Sequence, residues 1–197
     1  MELELVQRPE SRVSPYELTI ARRSLEQLTP FFASSDRVLD VGSGTGLLAS
    51  LLAREVGATV TCTDVIDINL SELPLTLFDG QRLPFPDNAF TACMCNFVLH
   101  HTRDHEALVR EMMRVCSGRI VIMEDLVESP LDWLLTRLHT LISYWRYRSR
   151  GMSFRSDWGW RSLFYRLALK LEQEVPVRRW SRTASYPVAR KLYVLAR

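Results

Sequence analysis

The stretch Val-Leu-Asp-Val-Gly-Ser-Gly-Thr-Gly, residues 38–46, decides the fold of this chain. Its first half is short, apolar and rich in β-branched residues, which is typical of a buried strand. Glycines follow at the alternate positions Gly42, Gly44 and Gly46, and residues 47–53 are apolar at helical spacing. A strand, a glycine-rich turn and a helix in this order bring backbone N–H groups to a ligand at the edge of a sheet. The sequence therefore predicts a ligand-binding turn.

The spacing of the glycines narrows the choice of ligand. A turn that binds a dinucleotide carries the pattern G-x-G-x-x-G, which from Gly42 would place a third glycine at position 47. Leu47 occupies that position, and Asp40 precedes the first glycine by two residues. The resulting pattern, Asp-x-Gly-x-Gly-x-Gly, disfavours a nicotinamide-dependent dehydrogenase. A hydrolase is disfavoured as well, because no G-x-S-x-G elbow is present.

Strand and helix patterns alternate along the chain, which predicts an α/β fold: a Rossmann-like, doubly wound and mainly parallel sheet. Only residues 181–190 join the last two strands, so we expect an antiparallel last strand. Between strands two and three, residues 65–74 end in Pro74 and leave room for a loop or a shortened helix only. The predicted strands are residues 37–41, 59–63, 75–78, 90–96, 119–125, 175–180 and 191–196, and the predicted helices are residues 15–28, 45–55, 104–115, 130–150 and 156–171.

Length and composition predict a single domain over residues 1–197. The formal net charge of +2 disfavours a general nucleic-acid binder, which is usually far more basic. The four cysteines show no spacing typical of a metal site, so we expect reduced thiols, no metal and a cytoplasmic protein. The N-terminal residues do not resemble a signal peptide. The sequence contains no run of 18 apolar residues, so we expect no membrane span. Peripheral membrane contact and the oligomeric state stay open.

Two acidic residues follow successive strands behind the glycine turn. Asp64 ends strand two, 22 residues past Gly42, and Asp79 and Gly80 follow strand three. A carboxylate at the first place can accept both hydroxyls of a ribose, because its two oxygens are paired acceptors. A carboxylate at the second can accept from an adenine amino group. Either acid alone is equally well explained as a loop carboxylate or a helix cap.

These motifs, together with the Asp-Gly-x-x-Leu-Pro-Phe-Pro-Asp-Asn-x-Phe run over residues 79–90 and Val-Leu-His-His at residues 98–101, resemble the class I S-adenosylmethionine-dependent methyltransferases. The resemblance covers residues 37–125 and is nearest to the small-molecule branch. It implies S-adenosyl-L-methionine as the cofactor and methyl transfer to a small-molecule acceptor. By this similarity the methionine end is held by Asp40, Gly42, Gly44 and Gly46, the ribose by Asp64 and the adenine by Asp79 and Gly80, and Asn96 and Phe97 lie beside the cofactor. Because the helix after strand two is nearly absent, we expect one wall of the adenine site to come from Val65, Ile66 or Asp67.

The chain departs from the family pattern at three places: the nearly absent helix after strand two, Thr91 in place of an acid, and the short turn over residues 116–118 before strand five. None removes a cofactor residue, so the resemblance implies a divergent member. His100 and His101 follow strand four, where one of them can act as a general base. The alternative is that they pack between loop and helix or wall the cofactor pocket. We expect His105 and His139 to be exposed.

The segment over residues 129–171 lies between strands five and six, where this family often builds a cover over the acceptor. It is rich in aromatic and basic residues, including Trp158 and Trp160, so we expect a helical substrate cover that governs the choice of acceptor. Ordinary core packing beside a solvated basic face explains the same composition. Three functions are weighed: methyl transfer to a small molecule, a protein or lipid methyltransferase, and a non-catalytic S-adenosylmethionine-binding scaffold or regulatory protein.

Overall fold

A computed structural model describes residues 13–137, 153–177 and 188–197 of the chain. The helices are α1 (Pro15–Leu28), α2 (Leu47–Val56), α3 (His105–Val115), α4 (residues 130–137) and α5 (Asp157–Arg166), with 3₁₀ turns at Thr29–Phe31 and Leu99–His101. The strands are β1 (Arg37–Val41), β2 (Thr59–Asp64), β3 (Leu75–Leu77), β4 (Phe90–Asn96), β5 (Cys116–Leu126), β6 (Lys170–Val177) and β7 (Ala189–Ala196).

The seven strands form one sheet in the order β3-β2-β1-β4-β5-β7-β6. The pairs from β3 through to β5 are parallel, whereas β7 runs antiparallel to both β5 and β6. The chain starts in the middle of the sheet, moves to one edge, and then returns to build the other half from β4. The order in which strands are added therefore reverses between β1 and β4. Open α/β sheets bind ligands at the carboxyl ends of the strands that flank such a point. The predicted fold class is confirmed.

Helices cover both faces of the sheet. One buried cluster joins α2 to β1 and β2 through Ala49, Leu52, Val38 and Val60. The other joins α3 and α5 to β4 and β5, and its members include Leu108, Met112, Trp160 and Phe164. The strands are apolar on both sides because each side meets a helix, which is the pattern of a doubly wound parallel sheet.

Helix starts follow their local sequences. Ser14 and Glu17 form a reciprocal capping box at α1, and Pro15 takes the first helical position, where its missing N–H costs nothing. Asp104 caps α3 by accepting from the backbone N–H of Ala107 at 2.9 Å. Ser156 caps α5 in the same way at Gly159. The first turns of α1 and α3 lie at the carboxyl edge of the sheet, where they border the cavities described below.

The crossover between β2 and β3 contains no α-helix, as the sequence predicts. Asn69 organises it instead: its side-chain Nδ2 donates to the carbonyl of Leu73, and its Oδ1 accepts from the backbone N–H of Ser71 at 3.0 Å. The backbone N–H of Leu70 donates to the carbonyl of Thr45 in the glycine turn at 2.9 Å. The shortened crossover is thus a loop that packs against the glycine turn.

Strand β5 begins at Cys116, directly after α3, and not at residue 119 as predicted. Gly118, expected to end the helix, lies inside this strand, where a Cβ would overlap the carbonyl oxygen of Thr91. The absence of a side chain lets the two strands approach there, next to an irregularity in their register. The prediction for residues 117–118 as a turn is therefore wrong.

The predicted cover over residues 129–171 is described only in part. Residues 130–137 are helical, whereas the basic and aromatic run over residues 145–150, and His139 with it, lie outside the described residues. Helix α5 belongs to the core, since Trp160 is fully buried while Trp158 is 78% exposed. Trp160 packs in the core, which is the alternative weighed for this segment, and residues 170–171 belong to β6 rather than to a helix. The cover itself stays a prediction.

Candidate active site

The glycine turn after β1 packs closely against Val98 at Gly42 and is open at Gly44. Gly42 has a φ of 75°, and a Cβ there would overlap the side chain of Val98, which follows β4. Its backbone N–H donates to the carbonyl of Thr63 at 2.8 Å. Gly44 also has a positive φ, of 55°, but among the described residues no atom lies within 4 Å of a Cβ built on it. The turn therefore presents bare backbone toward open space at Gly44.

Asp64 fixes the other side of this turn. Its Oδ2 accepts from the backbone N–H of Gly44 at 2.8 Å, and its Oδ1 accepts from the backbone N–H groups of Val65 at 2.7 Å and Ile66 at 3.2 Å. The side chain is nearly buried but lines the larger cavity described below. One carboxylate thus ties the end of β2 to the glycine turn and faces the space between them.

Asp40 lies in β1 beneath the turn and is 3% exposed. Burial, with a further contribution from the nearby charge of Asp64, raises the pKa of Asp40 to about 8. A carboxyl group out of water resists ionisation unless a cation or hydrogen-bond donors compensate. The side chain is therefore largely protonated at neutral pH and is set to ionise when a positive charge arrives beside it.

Two cavities meet at Gly42. The larger, of about 600 Å³, lies over the ends of β2 and β3, and the smaller, of about 300 Å³, lies between the glycine turn, α1 and the end of β4. The larger is lined by residues that include Asp64, Val65, Asp79, Gly80, Val98 and His101. The smaller is lined by residues that include Glu17, Ile20, Asp40, Gly44, Asn96 and Phe97. Except for Gly46, the residues predicted for cofactor binding line one or both cavities.

Gly46 lies behind the turn instead. It has a φ of 70° and precedes α2, and a Cβ there would overlap the side chains of Asn69 and Ser71. Its role is to let the crossover loop approach the turn closely. The structure thus places Gly46 in support of the turn and outside both cavities.

The end of β4 brings an unsatisfied amide into the smaller cavity. The side-chain nitrogen and oxygen of Asn96 are both buried and have no hydrogen-bond partner within the described part of the chain. A buried amide without a partner costs about 1–3 kcal/mol, so a ligand that supplies partners there is favoured. Phe97 follows with a φ of 59°, unusual for a residue other than glycine, and the guanidinium of Arg190 lies 4.7 Å from its ring centre.

Asp79 and Gly80 form an exposed turn at the far end of the larger cavity. Asp79 Oδ1 accepts from the backbone N–H groups of Arg82 at 2.9 Å and Gln81 at 2.8 Å, and these bonds, Arg82 first, lower the pKa of Asp79. Gly80 has a φ of 81°. The turn leaves an ionised carboxylate at the rim, with Val65, which is 55% exposed, on the adjacent wall.

The two predicted histidines occupy different places. His101 lines the larger cavity, and its ring centre lies 4.1 Å from that of His100. His100 is buried behind it, with Nδ1 2.7 Å from Oε2 of the fully buried Glu124. Burial lowers the pKa of His100, but the charge and hydrogen bond of Glu124 outweigh it and leave that pKa raised. Their catalytic role stays a prediction.

Sequence reasoning missed Glu124 and misplaced His105. Glu124 stands beside Asp125 at the end of an otherwise apolar strand, and that pair of acids in a buried strand was the available signal. His105 is 4% exposed, so the expectation of an exposed side chain is wrong. Burial, followed by the charge of Arg155, lowers the pKa of His105 to about 4, so its ring is neutral and accepts from Arg155 Nε at 2.8 Å.

The described ranges contain neither a metal centre nor a membrane-spanning helix. Among residues 13–137, 153–177 and 188–197, no group of three or more histidine, cysteine, aspartate or glutamate side chains is arranged to hold a metal ion. None of the helices described there has the length and apolar character to cross a membrane.

Comparison with known proteins gives related sequences and related folds. Residues 39–122 match a family model described as a methyltransferase domain. The ubiquinone/menaquinone biosynthesis C-methyltransferase UbiE of Pseudomonas putida is 31% identical over 128 residues, which are 56% of this chain and 49% of that protein. The chain thus spans about half the length of this curated relative.

Two solved structures share the fold at low sequence identity. An S-adenosylmethionine-dependent methyltransferase of Thermotoga maritima, described as a possible histamine N-methyltransferase, superposes with a TM-score of 0.70 at 14% identity, over 92% of each chain. The geranyl diphosphate C-methyltransferase of Streptomyces coelicolor, solved with S-adenosyl-L-homocysteine, superposes with a TM-score of 0.69 at 15% identity, over 92% of this chain and 80% of that one. At these identities the likeness concerns the fold.

Proposed function

We propose that this chain is a class I S-adenosylmethionine-dependent methyltransferase that transfers a methyl group from S-adenosylmethionine to a small-molecule acceptor. The observation that carries the proposal is the pair of cavities joined at Gly42, with aspartates at the ends of three successive strands and bare backbone at Gly44. The cofactor joins an amino acid, a sulfonium and a nucleoside, so it needs an extended site of this kind.

The residues present fit the cofactor. Asn96 offers a buried amide without partners, and Asp40 is a buried carboxyl group that a nearby cation would ionise. Both line the smaller cavity, where the methionine end would be held by Asp40, Gly42, Gly44 and Asn96. In the larger cavity Asp64 would accept from the ribose, Asp79 and Gly80 would meet the adenine, and Val65 would form a wall. Phe97 would lie beside the cofactor, and Gly46 would support the turn.

The chemistry then divides between the cofactor and the chain. When bound, S-adenosylmethionine supplies an electrophilic methyl group that a nucleophile can take by in-line displacement. The chain supplies alignment and exclusion of water, which account for most of the rate when the electrophile is already reactive. Where the acceptor must lose a proton, His101 would take it, because it lines the cavity while His100 stands behind it.

Cofactor affinity is expected to rise with pH because of Asp40. Its carboxyl carries a proton below about pH 8 in the free protein and would lose it beside a cationic ligand, so binding releases a proton. Raising the pH from 6 to 8 should therefore tighten binding by about tenfold or more. Calorimetric titration in buffers of different ionisation enthalpy measures both the affinity and the released proton.

Two variants make this measurement specific. Asp40→Asn should abolish both the proton release and the rise in affinity, because the amide does not ionise. Asp36→Asn is the matched control, since Asp36 is also buried but lies before β1, at the opposite edge of the sheet. A pH dependence that is unchanged in Asp40→Asn would contradict the role given to Asp40.

The two histidines can be separated by turnover once an acceptor has been identified. We expect His101→Ala to lower turnover at saturating cofactor by about 100-fold if the acceptor must lose a proton, which is the lower end of the range for general-base catalysis. His100→Ala should act less on turnover than on the KM of the acceptor, because the ring is paired with Glu124 behind the cavity. Near-full rates in both variants would exclude a histidine base.

The class of acceptor is tested by following the label. A cell extract is divided into small-molecule, protein and lipid fractions. The protein is incubated with methyl-labelled S-adenosylmethionine and one fraction at a time, and the labelled product is identified by mass. We expect label in the small-molecule fraction, and compounds methylated at carbon are screened first because the sequence relative is a C-methyltransferase. Label in protein or lipid would instead favour those acceptors. Cofactor binding without any labelled product would favour the scaffold.

A further inference from the structure

Glu124 joins three groups that follow β4. It lies near the carboxyl end of β5 and is fully buried. Its Oε1 accepts from the backbone N–H groups of Val98 at 2.9 Å and Leu99 at 2.7 Å, and its Oε2 lies 2.7 Å from Nδ1 of His100. A buried carboxylate with three such partners holds them firmly, because leaving any of them unpaired out of water is costly.

One side of this turn, residues 97–101, faces the proposed cofactor site. Val98 packs where a Cβ on Gly42 would lie, and His101 lines the larger cavity. Phe97 opens the turn with a φ of 59°, a conformation that persists only when its surroundings enforce it. The backbone N–H of Phe97 donates to the carbonyl of Met123 at 2.8 Å, so β5 holds the turn at that point as well.

The other side of the turn meets the segment that leads into α5. The ring of His100 stacks on Phe154 with centres 4.8 Å apart and planes 15° apart. The carbonyl of His100 accepts from the backbone N–H of Ser153 at 2.8 Å, and Arg155 pairs with the end of β5. His100 thus joins the turn to Ser153 and Phe154, which lie within the predicted cover over residues 129–171.

The charges around His100 favour an ion pair with Glu124. Asp125 also raises the pKa of His100 and Arg190 lowers it, but Arg190 is itself paired with Asp125 at 2.7 Å. His105, on α3, is neutral at physiological pH, since its pKa is about 4. A protonated His100 donates from Nδ1 to Glu124, which fixes the orientation of the ring against Phe154.

We propose that Glu124 is a positioning residue: it sets the 97–101 turn for cofactor binding and, through His100, links that turn to the segment at Ser153 and Phe154. The inference rests on the proposed function, because it takes S-adenosylmethionine to be the ligand that the 97–101 turn contacts. Cofactor binding and the placement of residues 153–154 should then be coupled.

Two substitutions at Glu124 separate its hydrogen bonds to the backbone from its charge. Glu124→Ala leaves two buried amides without an acceptor, so we expect it to weaken binding of S-adenosylhomocysteine by at least about tenfold. Glu124→Gln keeps an oxygen for both amides, so it should bind within about threefold of the native protein, while its lost charge lowers the pKa of His100 in an NMR titration. Asp36→Ala is the control, because it removes a buried acceptor of a backbone N–H at the opposite edge of the sheet.

Hydrogen exchange tests the coupling itself. S-adenosylhomocysteine should slow exchange of the Ser153 amide in the native protein and in Glu124→Gln, but not in Glu124→Ala at saturation. Native affinity in a folded Glu124→Ala variant, or an unchanged His100 pKa in Glu124→Gln, would overturn the proposal. If the alanine variant does not fold, the glutamine variant and the native exchange decide the question. A native protein that does not bind the cofactor would remove the proposed function, and the His100 titration would still test the pairing.

Discussion

Replacing Gly44 by alanine should weaken the binding of S-adenosylmethionine by at least about 30-fold, equivalent to ~2 kcal/mol. Nothing in the described protein lies within 4 Å of the added methyl group, so it would project into the space that the proposed cofactor occupies. The substitution also costs about 1 kcal/mol of folding free energy, because Gly44 has a φ of 55°. Calorimetry gives the affinity, and thermal unfolding gives the stability.

Gly57→Ala is the matched control for this experiment. Gly57 has a φ of 79° at the end of α2, and a Cβ there would make an ordinary contact of 3.5 Å with Ser34. Both variants should therefore lose similar stability, and only Gly44→Ala should lose affinity. Equal affinity in the two variants would show that no ligand approaches the turn at Gly44.

Asp64→Ala is expected to have a still larger effect, a loss of about 100-fold or more in cofactor affinity, since hydrogen bonds to a charged group contribute about 1.5–3 kcal/mol each. The substitution removes the proposed acceptor of the ribose hydroxyls. It also frees the backbone N–H groups of Gly44, Val65 and Ile66, which the carboxylate now holds. Titration with S-adenosylmethionine well below the unfolding temperature measures the loss.

Asp67→Ala controls for the loss of a carboxylate from the same loop. Asp67 is exposed and stands three residues further on. Within the described part of the chain it accepts one long hydrogen bond, of 3.4 Å, from the backbone N–H of Asn69. We expect this variant to bind as the native protein does. Similar losses from Asp64→Ala and Asp67→Ala would point to the net charge of the loop and against a specific contact at Asp64.

The parts of the fold that the sequence predicted well are those governed by local patterns. Strand β1 and the glycine turn follow from β-branched residues and from glycines at positive φ, and α1 follows from its capping box. The loop that replaces a helix after β2 was predicted from its length and Pro74. The start of strand β5 was predicted three residues too late, because the need for glycine at position 118 arises from contact with Thr91 on a neighbouring strand.

In the candidate site, too, residues that belong to local patterns were predicted, and contacts between distant residues were not. Acids at strand ends are visible in the sequence, so Asp40, Asp64 and Asp79 were named, and the structure places all three at the cavities. The pairing of His100 with Glu124 spans 24 residues and depends on the register of β4 and β5. No local pattern reports such a contact.

The central claim is that the two cavities form one S-adenosylmethionine site, and calorimetric titration of the native protein tests it most directly. S-adenosylmethionine and S-adenosylhomocysteine are titrated into the native chain and into the Asp64→Ala and Asp79→Ala variants. The predicted result is saturable binding at one site that is weaker in both variants, with the larger loss at the more buried Asp64. Absence of binding to the well-folded native protein would contradict the claim.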